Sequence, residues 1–301
     1  MSGRPRGRHD DPVLGRRTVT SRPAARIQPD HAPSSPVRLE RDGALARIVL
    51  AHAHTGNAFD LGFVRALRDA VAQLAHWTEE ADSEKIEAVL LSAEGPNFSV
   101  GGDLRAFVAE QDAVGGYVRE VAETAHEAVL GLAGLYVPVV AEVQGAVAGG
   151  AVGLTLTADL VVAARGAKVR LGYTALGLTP DCGASWLLPR LLGERRALDL
   201  LLTNRVLPAA EAEAWGLVNR VVDDAELPSA AEALARSLVD GHGLALSRAK
   251  LLVRGDRLDG LRDHLECEAE FIAAASARPR TRKAMEDFLA GTRPKRGHRA
   301  R

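Results

Sequence analysis

An α/β fold is predicted by two features of the sequence. Between Val37 and Gly193, short apolar runs bounded by Gly, Pro or Asn alternate with longer stretches of helical periodicity. Past Gly193 the strand signals become scarce and helical patterns take over. Alternation of this kind implies parallel strands joined by right-handed crossovers, with the helical last third packed on the sheet or on a neighbouring subunit.

The elements follow in order. Residues 44–53, ALARIVLAHA, read as a strand, TGNA as a turn, and 59–82 as an amphipathic helix with Phe59, Phe63, Leu67, Val71 and Leu74 on one stripe. IEAVLLSAEG is a second strand, running into the polar, Gly-rich loop PNFSVGGDL. Residues 113–134 suggest a helix and VPVVAEVQG a further buried strand. AGGAVGLTLTAD opens a helix, LVVAARGAKVRLG gives two short strands, and GASWLLPRLLG is a short helix ending at Gly193. RRALDLLLTN, PAAEAEAWGL, residues 227–239, ALSRAKLLVRG and the run 258–289 all read as helices.

The chain has 301 residues, 47% of them hydrophobic, which is enough for a substantial core. A formal net charge of −1 gives no pull toward nucleic acid or membrane, and no apolar stretch reaches the roughly 20 residues of a membrane span. The two cysteines, Cys182 and Cys267, form no disulfide framework and no metal-like spacing, which fits a reducing cytoplasm. Residues 1–36 are rich in Arg, Pro and Ser without apolar periodicity and read as a disordered basic arm. Residues 37–193 form the α/β core, 194–293 a helical region of the same fold, and 294–301 a basic tail.

The most informative segment is 137–190, where a strand leads into the Gly-rich turn VAGGAVG and, further on, into TPDCG. Glycine lets backbone amides approach a ligand, and the helix that follows adds its positive end. Taken alone, a glycine pair is better explained by close strand–helix packing, which needs small residues. Asp181 has two readings: a proton carrier, or an N-cap for the helix that starts just after it. His52, His54 and His76 read as surface groups, Trp215 as a core residue, and Glu142 carries no assigned role.

Five phrases in this order, GNAFDLGFVRAL, FSVGGDLRAF, VPVVAEVQGAVAGGAVGLTLTADLVVAA, AKVRLGYTALGLTPDCGASWLLPRLLG and LPAAEAEAWGLVNRVV, resemble the crotonase (enoyl-CoA hydratase/isomerase) superfamily over about residues 38–293. The resemblance implies a core of ββα units, a helical trimerisation region, assembly as a homotrimer or paired trimers, an acyl-CoA thioester as substrate, and no cofactor beyond its coenzyme A. It places two backbone donors for a thioester enolate at Val100 and Gly150, and substrate contacts at Asn57, Ala58, Ser99, Gly101, Gly102, Asp103, Leu104, Gly149, Tyr173 and Phe288. Asp103 reads better as an acceptor that organises its loop. The lysine that often follows the Phe288 position is Gly291, with Arg293 as a substitute.

Hydratases of this family use two glutamates, and those positions fall on Gly153 and Tyr173. Simple hydration is therefore not expected. Asp181, in GLTPDCG, resembles the isomerase branch that includes ring-epoxide isomerases acting on phenylacetyl-CoA, where one carboxylate suffices. Thioester hydrolysis, decarboxylation, atypical hydration and a catalytically silent acyl-CoA scaffold are the alternatives.

Overall fold

A computed structural model describes residues 35–79, 85–255 and 258–292. The expected arm, the basic tail and Arg293 lie outside the described residues, apart from the arm's last two positions. Among the described residues no helix is long and apolar enough to cross a membrane.

Strands β1 (Val37–Asp42), β2 (Leu45–Leu50), β3 (Ala88–Ala93), β4 (Val139–Val143), β6 (Leu160–Ala164) and β9 (Arg220–Val222) form one sheet in the order β1-β2-β3-β4-β6-β9. Every pair in it is parallel except β1 with β2. A small second sheet pairs β7 (Lys168–Arg170) with β5 (Ala146–Ala148) and with β8 (Leu207–Pro208). The parallel expectation therefore fails at two places, the antiparallel pairs β1–β2 and β7–β8. Strand β1 is masked in sequence by its charged residues, although Asp42-Gly43 is a hairpin signal and Gly43 has φ +62°.

The helices are α1 (Leu61–Thr78), α2 (Leu104–Ala109), α3 (Val114–Gly134), α4 (Gly150–Leu156), α5 (Ala184–Leu192), α6 (Glu194–Thr203), α7 (Ala209–Ala214), α8 (Leu227–Val239), α9 (Gly243–Arg254), α10 (Leu261–Ser276) and α11 (Pro279–Leu289). The run 258–289 is two helices, because Pro279 has no N–H to continue the first and is well suited to start the second. Helix α1 starts after Phe59, with the Asp60 side chain accepting from the Phe63 amide at 2.7 Å. Its stripe Phe63, Leu67, Val71 and Leu74 is at most 2% exposed. One apolar core draws residues from Val37 to Met285, so the C-terminal helices and the sheet share it. Helix α9 is fixed differently: Lys250 and Arg254 reach Asp159 at 2.8 and 2.9 Å.

Because β2, β3 and β4 run parallel, the loops that follow them emerge at one end of the sheet. Those loops carry residues 51–60, 94–103 and 144–150, which is where open parallel sheets place their ligand sites.

Candidate active site

These loops and helices α3, α10 and α11 enclose a cavity of about 950 Å³. Its inner wall is apolar, with Phe59, Phe107, Val121, Ala125, Leu178 and Ile272. Of the residues expected at the site, Ala58, Val100, Gly102, Asp103, Leu104, Gly149, Gly150, Tyr173, Asp181 and Phe288 line it. Phe288 stands at 57% exposure on α11.

Asn57, Ser99 and Gly101 are not wall residues; they hold the wall from behind. Asn57 is fully buried with φ +56°, and its amide nitrogen donates to Glu94 O, Asn97 O and Phe98 O at 3.0–3.1 Å while its oxygen accepts from the His52 amide. Ser99 Oγ donates to Asn57 O at 2.7 Å and accepts from the Gly101 amide at 3.1 Å. A Cβ at Gly101 would lie 2.5 Å from Ala148 O, so only glycine lets this loop lie against β5. Replacing Asn57 by Ala orphans a cluster of buried backbone carbonyls and is expected to cost about 2–3 kcal/mol, read as a lower denaturant midpoint at unchanged m. Asp103 caps α2, accepting from Arg105 and Ala106 amides at 2.9 and 3.2 Å, in line with a loop-organising acceptor.

The expected donor at Val100 needs correction. Its amide is already bonded to Gly56 O at 3.0 Å, and the residue is 40% exposed. The amides of Gly102 and Gly150, both on the cavity wall, donate to no acceptor among the described residues. They sit on segments held together by the Ala148 amide donating to Ser99 O at 3.0 Å. Gly150 is the first residue of α4, so its amide belongs to the positive end of that short helix.

Asp181 faces this cavity and accepts a hydrogen bond from the Tyr173 hydroxyl. Burial raises its carboxyl to about 6, while the Tyr173 hydroxyl and Cys182 thiol pull it down. Burial likewise pushes the Tyr173 phenol and the Cys182 thiol well up, so both keep their protons. Tyr173 is thus both an aromatic wall and a holder of Asp181.

Asp181 does not cap α5. That work falls to Glu268 of α10, whose carboxylate accepts from the Gly183 amide at 2.7 Å, the Ser185 amide at 3.1 Å and the Ser185 hydroxyl. Burial raises Glu268 to about 7 against the pull of those donors. Cys182 has φ +54°, and its amide donates to Nε2 of buried His126 at 3.0 Å. Burial lowers His126 to about 4, so the ring is neutral, with its other nitrogen on the Leu265 carbonyl. His126, Asp181 and Cys182 place ligand-type atoms within 4.8 Å of one another, but the Nε2 lone pair is taken by the Cys182 amide. This is a hydrogen-bond network around a turn.

Glu268 and His126 escaped the sequence reading, although a signal exists. Glu268 interrupts the apolar stripe Leu261, Leu265, Ile272, and His126 lies among Ala122, Ala125 and Val129. Trp215 is a partial correction: it packs on the core edge, yet Arg196 and Arg205 stack on its ring at 4.8 and 4.7 Å. His54 and His76 are exposed, and His52 is half-buried. Burial raises the Glu142 carboxyl.

A family described as enoyl-CoA hydratase/isomerase matches residues 40–296. A 1,2-epoxyphenylacetyl-CoA isomerase of Escherichia coli strain K12 is 34% identical over 74% of this chain and 86% of its own. A 4-chlorobenzoyl coenzyme A dehalogenase of Arthrobacter is 31% identical over 75% of this chain and 85% of its own. Among solved structures, an enoyl-CoA hydratase from Bacillus halodurans superimposes with a TM-score of 0.75 at 26% identity, covering 84% of this chain and 99% of its own. The sheet order, the glycine-built wall and these matches agree, and the chain belongs to the enoyl-CoA hydratase/isomerase family.

Proposed function

We propose that the protein is an acyl-CoA isomerase that moves a double bond, or rearranges a ring, through a thioester enolate. The observation that carries this reading is the Asp181 carboxyl, buried at an apolar cavity with its pKa raised to about 6, while the other lining carboxylate, Asp103, is taken up in capping α2. On a 3-enoyl thioester the Asp181 carboxylate takes the proton from C2, and the electron pair spreads over the dienolate. The carboxylic acid then returns that proton at C4, leaving the double bond between C2 and C3. The amides of Gly102 and Gly150 are the donors assigned to the developing oxyanion, and losing one such donor typically costs about 3–4 kcal/mol of barrier stabilisation. No water has to be activated, which suits a site whose two hydratase-glutamate positions are Gly153 and Tyr173.

The dehalogenase relative raises a second use of Asp181, as a nucleophile on an aryl carbon. Regenerating the enzyme would then need a base for water. The nearest histidine, His126, has both ring nitrogens engaged, which favours proton transfer instead. Coenzyme A is assigned to the cavity mouth beside Phe288. Assembly as a trimer or paired trimers is part of the same proposal, supported by the exposed Leu202, Leu252 and Val253 on α6 and α9; sedimentation velocity tests it.

A panel of 3-enoyl-CoA thioesters tests the chemistry. Growth of the conjugated-enoyl absorbance without release of free thiol is expected, and thiol release or an unchanged spectrum across the panel overturns it. Tyr173→Phe removes one donor that holds the Asp181 carboxyl down. Its pKa should rise, moving the acidic limb of the kcat profile to higher pH with activity retained above that limb.

A further inference from the structure

The residues immediately behind Asp181 form a turn that its own sequence does not favour. Cys182 and Gly183 both have positive φ, +54° and +77°, and for a non-glycine residue that conformation persists only where surroundings impose it. The surroundings are side chains of two distant helices. His126 of α3 takes the Cys182 amide at 3.0 Å, while Glu268 of α10 takes the Gly183 and Ser185 amides at 2.7 and 3.1 Å. The Cys182 carbonyl is thereby driven over α4, to a point 2.1 Å from where a Cβ of Gly153 would sit. Glu268 does not line the cavity.

We infer that Glu268 is a positioning residue for the reaction: from α10 it clamps the Gly183–Ser185 turn and so fixes the direction in which the Asp181 carboxyl meets the substrate. The assignment rests on the proposed proton shuttle for its kinetic consequence, and on the clamp geometry alone for its structural one. A carboxylate suits the task because it accepts at both oxygens, and here it accepts from three donors. An amide of the same shape has one accepting oxygen. In a Glu268→Gln protein the side-chain NH2 must face one of these donors, so at least one clamp bond is lost while volume is preserved.

The test compares wild type and Glu268→Gln on trans-3-hexenoyl-CoA and trans-3-decenoyl-CoA, with a crystal structure of the variant. The expected result is a kcat lowered at least 30-fold with KM within threefold, and a displaced Cys182–Ser185 turn with Asp181 off the Tyr173 hydroxyl. A folded variant that keeps kcat within threefold, or one whose turn and Asp181 are unmoved, overturns the inference. If wild type turns over neither thioester, the isomerase reading has failed on these probes, and the variant's crystal structure alone decides the clamp. Should Glu268→Gln not fold, Glu268→Asp makes the same comparison: one methylene shorter, it can reach only one of the two backbone amides.

Discussion

Asp181→Asn is expected to lower kcat about 10³-fold, the scale on which a positioned proton carrier contributes, while KM for the thioester stays within a few-fold. The change is close to isosteric, and the new amide oxygen can still accept from Tyr173, so the turn behind it keeps its shape. What disappears is the ability to hold a proton between its removal at C2 and its return at C4. In the wild type, kcat should fall as pH drops through about 6, because the raised carboxyl is protonated below that point and cannot accept the C2 proton. Stability should move the other way. A folded pKa above the unfolded value means the native state binds this proton more tightly, so the wild type loses stability as pH rises from the unfolded value through the folded one. Asp181→Asn has no such loss, and its thermal midpoint should exceed that of wild type at pH 8 and converge with it near pH 4. A folded Asn variant with full turnover removes Asp181 from the chemistry.

The frame of the site was legible because it is written locally. The glycines of FSVGGD and VAGG, the strand VVAEV and the stripe on α1 each carry their own turn or period, and each sits where the pattern implies. Val100 illustrates the limit. Whether a loop amide is free depends on which carbonyl crosses it, and Gly56 O comes from the preceding β–α connection. The clamp was out of reach for a similar reason. The bonds from Cys182 to His126 and from Gly183 to Glu268 span 56 and 85 residues. Asp181 itself was ambiguous between cap and catalyst, because both fit an Asp placed just before a helix. Its neighbours remove the cap: with Glu268 on the α5 amides, the Asp181 carboxyl bonds the Tyr173 hydroxyl and the Cys182 thiol at the cavity wall.

Restoring the glutamate that hydratases carry at the first position, by Gly153→Glu, should yield an unstable protein and no hydratase. Gly153 is fully enclosed in α4, and a Cβ there would lie 2.1 Å from Cys182 O and 2.8 Å from Cys182 Cβ. Those atoms cannot give way cheaply, since the Cys182 amide is tied to His126 and the next amide to Glu268. Overpacking alone costs about 1–3 kcal/mol, and an unpaired carboxyl in an apolar wall adds several more, for a loss of about 5 kcal/mol. Gly153→Ala separates the two effects: it keeps the clash without the charge, and should fall between wild type and the Glu variant in thermal midpoint. The missing glutamate and the turn that carries Asp181 are therefore one structural fact, since the backbone behind the single carboxyl occupies the space a second would need. A stable Gly153→Glu protein that hydrates an enoyl-CoA would break that link.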